Sequence, residues 1–246
     1  MGSREKVVLP IKRFRQRTGE CSLAAIASFC NFYDEETTYR SLRKWYGLKW
    51  ARGKKFKGLE SYEYCELLNE LGYVKVKVVT ADLDVMDFSW NRLKRRTIIR
   101  RMRERAEHWR RVGDVDSTDE MLSWANWLGQ KDCDNKIVVD VDFHKQIKRT
   151  LRDGHPLLAS VNWTALFSYR KWPDNSWIPK IRGDVFGEPD YHLFVIRGFD
   201  NKGVYIIDSH WQYYNGSRSK YSSGRYRLSW ERYLMSVQRG DLIMVG

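Results

Sequence analysis

The chain has 246 residues, 42% of them hydrophobic, and a formal charge of +13. That length suits one large domain, or one domain carrying a sizeable insertion, with enough apolar residues for a full core. The four cysteines, Cys21, Cys30, Cys65 and Cys133, are too few and too scattered for a disulfide framework or a zinc site, and they read as reduced thiols. MGSREKVVLP has no apolar signal-peptide core and no apolar run approaches the ~18 residues of a membrane span, so the expected location is cytoplasmic.

Residues 1–14 mix cations with Val7, Val8, Leu9 and Ile11 around Pro10, which predicts an extended lead-in or edge strand. RQRTGECSLAAIASFC at 15–30 is a polar, glycine-containing turn and then an Ala-rich helix from Cys21 to about Tyr33. DEETTYRSLRKWYGL predicts a short helix capped by Thr37 or Thr38 and stopped at Gly47, and WARGKKFKG a basic loop. Leu59 to Leu71 is an amphipathic helix ending at Gly72, and 73–79 alternates as a strand.

A helical insertion is expected over about 82–135. It holds a helix at 91–111 with ten Lys/Arg against two Glu, on a seam of Leu93, Ile98 or Ile99, Met102, Ala106 and Trp109. A second helix follows at 120–129, capped by Ser117 or Thr118. The acidic runs DLDVMD and DVDSTDE lack the glycine and final glutamate of a calcium loop and read as helix caps.

Beyond the insertion, 137–141 predicts a strand, 143–154 a helix ended by Gly154, and PLLASVNW a buried strand. Residues 164–190 form an aromatic loop without a period. HLFVIRGF at 192–199 and GVYIIDS at 203–209 form a hairpin through DNKG. YYNGSRSKYSSGRYR reads as a polar loop, SWERYLMSV as a capped helix and 241–245 as a closing strand. Helices first and an antiparallel meander after them make an α+β layout.

Cys21 opens an apolar helix, where unpaired N–H groups and the positive dipole end favour a thiolate. A cysteine nucleophile needs a base and a group to orient that base. Of the five histidines, His108, His144 and His155 fall on polar or turn positions. His192 opens an apolar strand whose hairpin partner ends in Asp208, so the two should be neighbours across the ladder. His210, two residues past Asp208, is the competing base. Gln16, just upstream of Cys21, is placed to give a side-chain donor to an oxyanion hole. No histidine–acid cluster has ligand spacing, so neither metal nor cofactor is expected.

Gln16, Glu20-Cys21, SLAAIASFC and HLFVIRGFDNKGVYIIDS together resemble the papain-like cysteine peptidases that remove double-glycine leaders from bacteriocins, and their peptidase-like relatives. The resemblance extends to Leu59–Val79, to FHKQIKRTLRDGHPLLASV and to SWERYLMSVQRGDLIMV. It implies a single papain-like domain over 1–246, with the N-terminal helical part packed on an antiparallel sheet; the 82–135 segment and the 164–190 loop are additions to the compact fold. It also implies Cys21, His192 and Asp208 as a triad and Gln16 as oxyanion donor. The chain departs from the pattern twice: the Gln16-to-Cys21 interval is one residue shorter, and Ser22 stands where the family usually has Gly.

The expected function is a thiol-dependent hydrolase that cleaves a peptide or isopeptide bond in a peptide or protein substrate through a thioester. Two alternatives are an acyl or amide transferase on the same site, and a catalytically inert basic module. The helix at 91–111 is the candidate surface for nucleic acid or an acidic protein, since strong positive charge favours polyanions without choosing among them.

Overall fold

The computed structural model describes residues 5–17, 19–49, 59–163, 166, 169–171, 177–179, 191–210, 223–237 and 240–246. The first half runs β1 (Val7–Val8), α1 (Cys21–Cys30), α2 (Tyr39–Lys49), α3 (Ser61–Glu70), β2 (Val76–Thr80), a 3₁₀ turn (Phe88–Arg92), α4 (Arg95–Arg111), α5 (Val115–Leu128) and β3 (Lys136–Val139). The second half runs α6 (Phe143–Arg152), β4 (Leu157–Asn162), β5 (Tyr169–Lys171), β6 (Trp177–Pro179), β7 (Tyr191–Asp200), β8 (Gly203–Ile207), β9 (Arg225–Ser229), α7 (Trp230–Ser236) and β10 (Asp241–Val245). The architecture is α+β. The chain forms two compact units, Met1–Gly58 with His144–Gly240, and Leu59–Phe143 with Asp241–Gly246.

In the first unit β4 pairs with β7, β7 with β8 and β8 with β9, all antiparallel, and β1 pairs with the far end of β7. The register of β7 on β8 shifts between Ile196 and Gly198. A Cβ on Gly198 would lie 2.3 Å from the Val7 carbonyl oxygen, so only glycine lets β1 run this close. Helix α1 packs on β7 and β4 and is buried from Ser22 to Cys30. Its alanines allow the close approach, and it stops at Cys30, short of Tyr33. There Asn31 turns the chain by donating from its amide to the Glu35 and Thr37 carbonyls, both at 2.8 Å.

Thr38 caps α2, accepting the Ser41 N–H at 3.1 Å while the Ser41 hydroxyl accepts the Thr38 N–H at 2.9 Å. The helix runs through Gly47 instead of ending there. RYR at 225–227, expected to end a polar loop, opens strand β9, in which Tyr226 and Leu228 point inward between exposed Arg225, Arg227 and Ser229. Residues 213–222 of that loop, and the whole basic loop WARGKKFKG at 50–58, lie outside the described residues. Within the expected aromatic loop, β5 and β6 form an antiparallel ribbon, and most of the remainder lies outside the described residues too.

In the second unit β2 pairs antiparallel with β10 but parallel with β3. A parallel neighbour needs a long crossover, and the helical segment between Thr80 and Lys136 supplies it. Ile98, Met102 and Ala106 form the buried seam of α4, which packs on α5. The helix starts at Arg95 instead of Asn91 because residues 88–92 wind as a 3₁₀ turn capped by Asp87. Helix α5 starts at Val115 because Asp114, and not Ser117 or Thr118, is its cap: the Asp114 carboxylate accepts the Ser117 N–H at 3.0 Å and hydroxyl at 2.7 Å. The acidic runs therefore do serve as caps. Among the described residues, no helix is long and apolar enough to cross a membrane.

Candidate active site

The first unit gathers Cys21, His192, Asp208 and Gln16 at one end of its sheet. Gly19 takes φ +78° in the turn that leads to the helix start. Glu20, the residue before the thiol, is buried and fixed from α2: Arg43 Nε donates to both its carboxylate oxygens at 2.9 and 3.0 Å, and the Tyr39 hydroxyl donates to Oε2. The Tyr39 oxygen in turn accepts the Arg17 N–H at 3.1 Å, so α2 holds both sides of the turn. Cys21 is the half-buried first residue of α1, and the packing of α1 on β7 brings it to His192.

His192, the second residue of β7, is 3% exposed. Its Nε2 lies 2.8 Å from Asp208 Oδ1. A carboxylate only accepts, so Nε2 carries the proton and Nδ1 is the nitrogen left for the Cys21 thiol, with which His192 also hydrogen-bonds. Burial opposes the imidazolium, but the Asp208 charge and hydrogen bond, together with Cys21, outweigh it and raise His192 to about 9. Asp208, buried as well, is held below the usual carboxylate range because the His192 charge and three hydrogen bonds overcome its desolvation.

The register Val195↔Ile207 continues to Phe194 opposite Asp208, so His192 stands on the diagonal, on the same face, instead of directly across. His210 differs from His192 in every respect that matters to a base. Its ring is pushed down to about 4 by burial and then by the neighbouring His192 charge, and its backbone N–H, not its ring, donates to Asp208 Oδ1 at 2.8 Å. Trp163 packs edge-on against both rings, 4.0 Å from His192 and 4.7 Å from His210 between centroids.

Three supporting residues do not stand out in the sequence. The Tyr226 hydroxyl donates to Asp208 Oδ2 at 2.7 Å, occupying the second carboxylate oxygen. Arg13 donates from Nε to the Asp208 carbonyl and from Nη2 to the His210 carbonyl, both at 2.6 Å, which ties the lead-in segment to the end of β8. Ser209 is joined to Gln16 twice: the Gln16 N–H donates to its carbonyl at 3.1 Å, and its hydroxyl donates to Gln16 Oε1 at 2.7 Å. With Oε1 held, the carboxamide presents Nε2 on its other side. The alternation of Tyr226 and Leu228 in RYRLS is the one pattern that could have disclosed a member of this group.

Against known proteins, residues 88–236, more than half of the chain, match the family described as Peptidase_C39 like. The chain belongs to that C39-like peptidase family. The matched span holds His192, Asp208 and Tyr226 and begins after Cys21 and Gln16. Family membership and a Cys-led helix packed on an antiparallel sheet together give a papain-like fold. A solved structure from Bacillus anthracis, described as a C39-like peptidase, aligns over 98% of this chain and 98% of its own, with 11% identity and a TM-score of 0.48. No curated protein matches the chain. Among the described residues of this C39-like chain, no three or more His, Cys, Asp or Glu gather as a metal-holding group.

Proposed function

We propose that the protein is a thiol-dependent hydrolase that cleaves a peptide or isopeptide bond, with Cys21 as nucleophile, His192 as base and acid, and Asp208 as the group that orients His192. The observation that carries this reading is the buried His192–Asp208 pair at 2.8 Å beside a thiol at a helix start. Cys21 attacks the carbonyl carbon; its own N–H and the Gln16 amide stabilise the oxyanion; His192 protonates the leaving amine; water then hydrolyses the thioester. An inert module would have no need of a charged histidine on a buried carboxylate whose two oxygens are both hydrogen-bonded. Whether water or an amine accepts the acyl group depends on what enters the second half-reaction.

The test pairs labelling with cleavage. Substoichiometric iodoacetamide should label Cys21 ahead of Cys30, Cys65 and Cys133, two of which are buried. A peptide library digested by the parent and read by mass spectrometry should be left intact by Cys21→Ala. Cleavage that persists in Cys21→Ala would overturn the assignment.

A further inference from the structure

The charge on α4 has a distribution that folding does not require. Residues 91–111 carry ten Lys/Arg and two Glu, a net of +8 out of the chain's +13. Two of the ten cations are bound to backbone carbonyls. Arg95 donates to the Leu128, Gln130 and Cys133 carbonyls and so closes the end of α5. Arg105 lies 4.5 Å over the Trp90 ring and donates to the Leu83 and Asp84 carbonyls. The buried seam of Ile98, Met102 and Ala106 turns the outer face to water, where Arg96, Arg100, Arg103, Arg110 and Arg111 are exposed. Like charges three and four residues apart destabilise a helix by a few tenths of a kcal/mol per pair, so this row is kept against a local cost.

We propose that α4 docks the phosphate backbone of a nucleic acid. From Arg96 to Arg111 the row spans about 22 Å at ~1.5 Å per residue, a length over which one strand carries roughly six phosphates. Nine of the ten cations are arginine, the side chain whose planar fork suits phosphate. On the flank, Trp90, Arg100, Arg101, Glu104, Arg105 and His108 line an open groove of about 470 Å³, which sets Arg101 and His108 beside the row. An acidic protein surface is the poorer partner. Exposed carboxylate pairs are worth at most about 1 kcal/mol, and α4 already supplies its own in Arg100–Glu104 at 2.5 Å and Arg110–Glu107 at 2.6 Å. A linear polyphosphate gains counterion release in addition. An anionic membrane is also the poorer seat for this helix, because its apolar seam is already spent on α5 and leaves nothing to insert.

The proposal is independent of the thiol chemistry and is tested on the full chain by fluorescence anisotropy with a labelled DNA strand of about 20 nucleotides, its duplex and the matching RNA. About four phosphate contacts give a log–log salt slope near −3 for a single strand, so affinity should fall about 60-fold between about 50 and 200 mM salt. Arg96→Glu/Arg100→Glu/Arg103→Glu should weaken binding at least tenfold while its melting temperature stays near the parent's; should that variant fold poorly, Arg96→Gln/Arg103→Gln should still weaken binding severalfold. Cys21→Ala should bind like the parent, which separates this outcome from any failure of the peptidase assignment. No binding at low salt, binding unaffected by the arginine variants, or equal binding to polyglutamate or to anionic vesicles would each overturn it.

Discussion

Ser209→Ala removes one hydroxyl and tests how the candidate oxyanion donor is aimed. In the parent that hydroxyl donates to Gln16 Oε1 at 2.7 Å, between residues that are 1% and 9% exposed. A neutral hydrogen bond of this kind contributes about 0.5–1.5 kcal/mol. Losing it lets the carboxamide rotate, so stabilisation of the oxyanion should fall by at most that amount, about 2- to 12-fold in rate at ~1.4 kcal/mol per tenfold. Gln16→Ala removes the donor itself and should cost about 10²–10³-fold. The double variant should be no worse than Gln16→Ala, because an absent amide has nothing left to orient. The assay compares two reactions of Cys21. Acylation by p-nitrophenyl acetate, followed as the p-nitrophenolate burst, passes through an oxyanion; alkylation by iodoacetamide displaces iodide at a saturated carbon and does not. Ser209→Ala should slow the first and leave the second unchanged. Equal slowing of both would mean the residue merely supports the fold, and no change in acylation would refute the orienting role.

Two predictions concern the second unit. Asp241 is buried, with Ser61 and Thr80 hydroxyls on its carboxyl group, and burial raises it from 3.8 to about 6. A carboxyl whose folded value is raised stabilises the fold fully below about pH 4 and loses that contribution as pH climbs through 6. Asp241→Asn should therefore be more stable than the parent at pH 7.5, by about 2–3 kcal/mol at ~1.4 kcal/mol per unit, with the difference shrinking toward pH 4; urea titrations at the two pH values decide it. Arg95→Ala strips a charged donor from three carbonyls at the end of α5 and should cost about 2 kcal/mol in the same measurement; a stability change below a few tenths of a kcal/mol would mean water replaces it.

The residues that stood out in the sequence sit on elements with strong local patterns. Cys21 heads an apolar run that can only be a buried helix, and His192 and Asp208 bracket two apolar strands around DNKG. Their pairing across the hairpin was legible, but the exact opposition was not, because the register shift between Ile196 and Gly198 moves the partners by one residue and a lone glycine in a strand does not announce it. Tyr226 was hidden for a different reason. Two inward residues after a glycine- and serine-rich run are too few to establish a period, and their burial depends on pairing with β8. The parallel pairing of β2 and β3 was likewise invisible, being a contact across a long helical crossover. At the start of α5, Asp114, Ser117 and Thr118 offer equivalent cap chemistry, and only the backbone decides among them.

The short interval between Gln16 and Cys21 shows most clearly why spacing alone was an incomplete guide. Counted along the chain, the interval is one residue tighter than the family pattern, and a turn at Gly19 has to absorb the difference with φ +78°. Gln16, however, is not positioned by that turn. Its backbone and its side chain are both fastened to Ser209, and Arg13, three residues earlier, is fastened to the Asp208 and His210 carbonyls. The lead-in segment is therefore set by the same strand end that presents Asp208 to His192. Thiol-side and imidazole-side residues share one anchor, so a deletion in the turn can move Gly19 without moving Gln16. On this account, inserting one glycine after Gly19 should leave Gln16 and Ser209 joined and perturb Cys21 instead. The insertion variant should then lose iodoacetamide reactivity at Cys21, whereas Ser209→Ala keeps it.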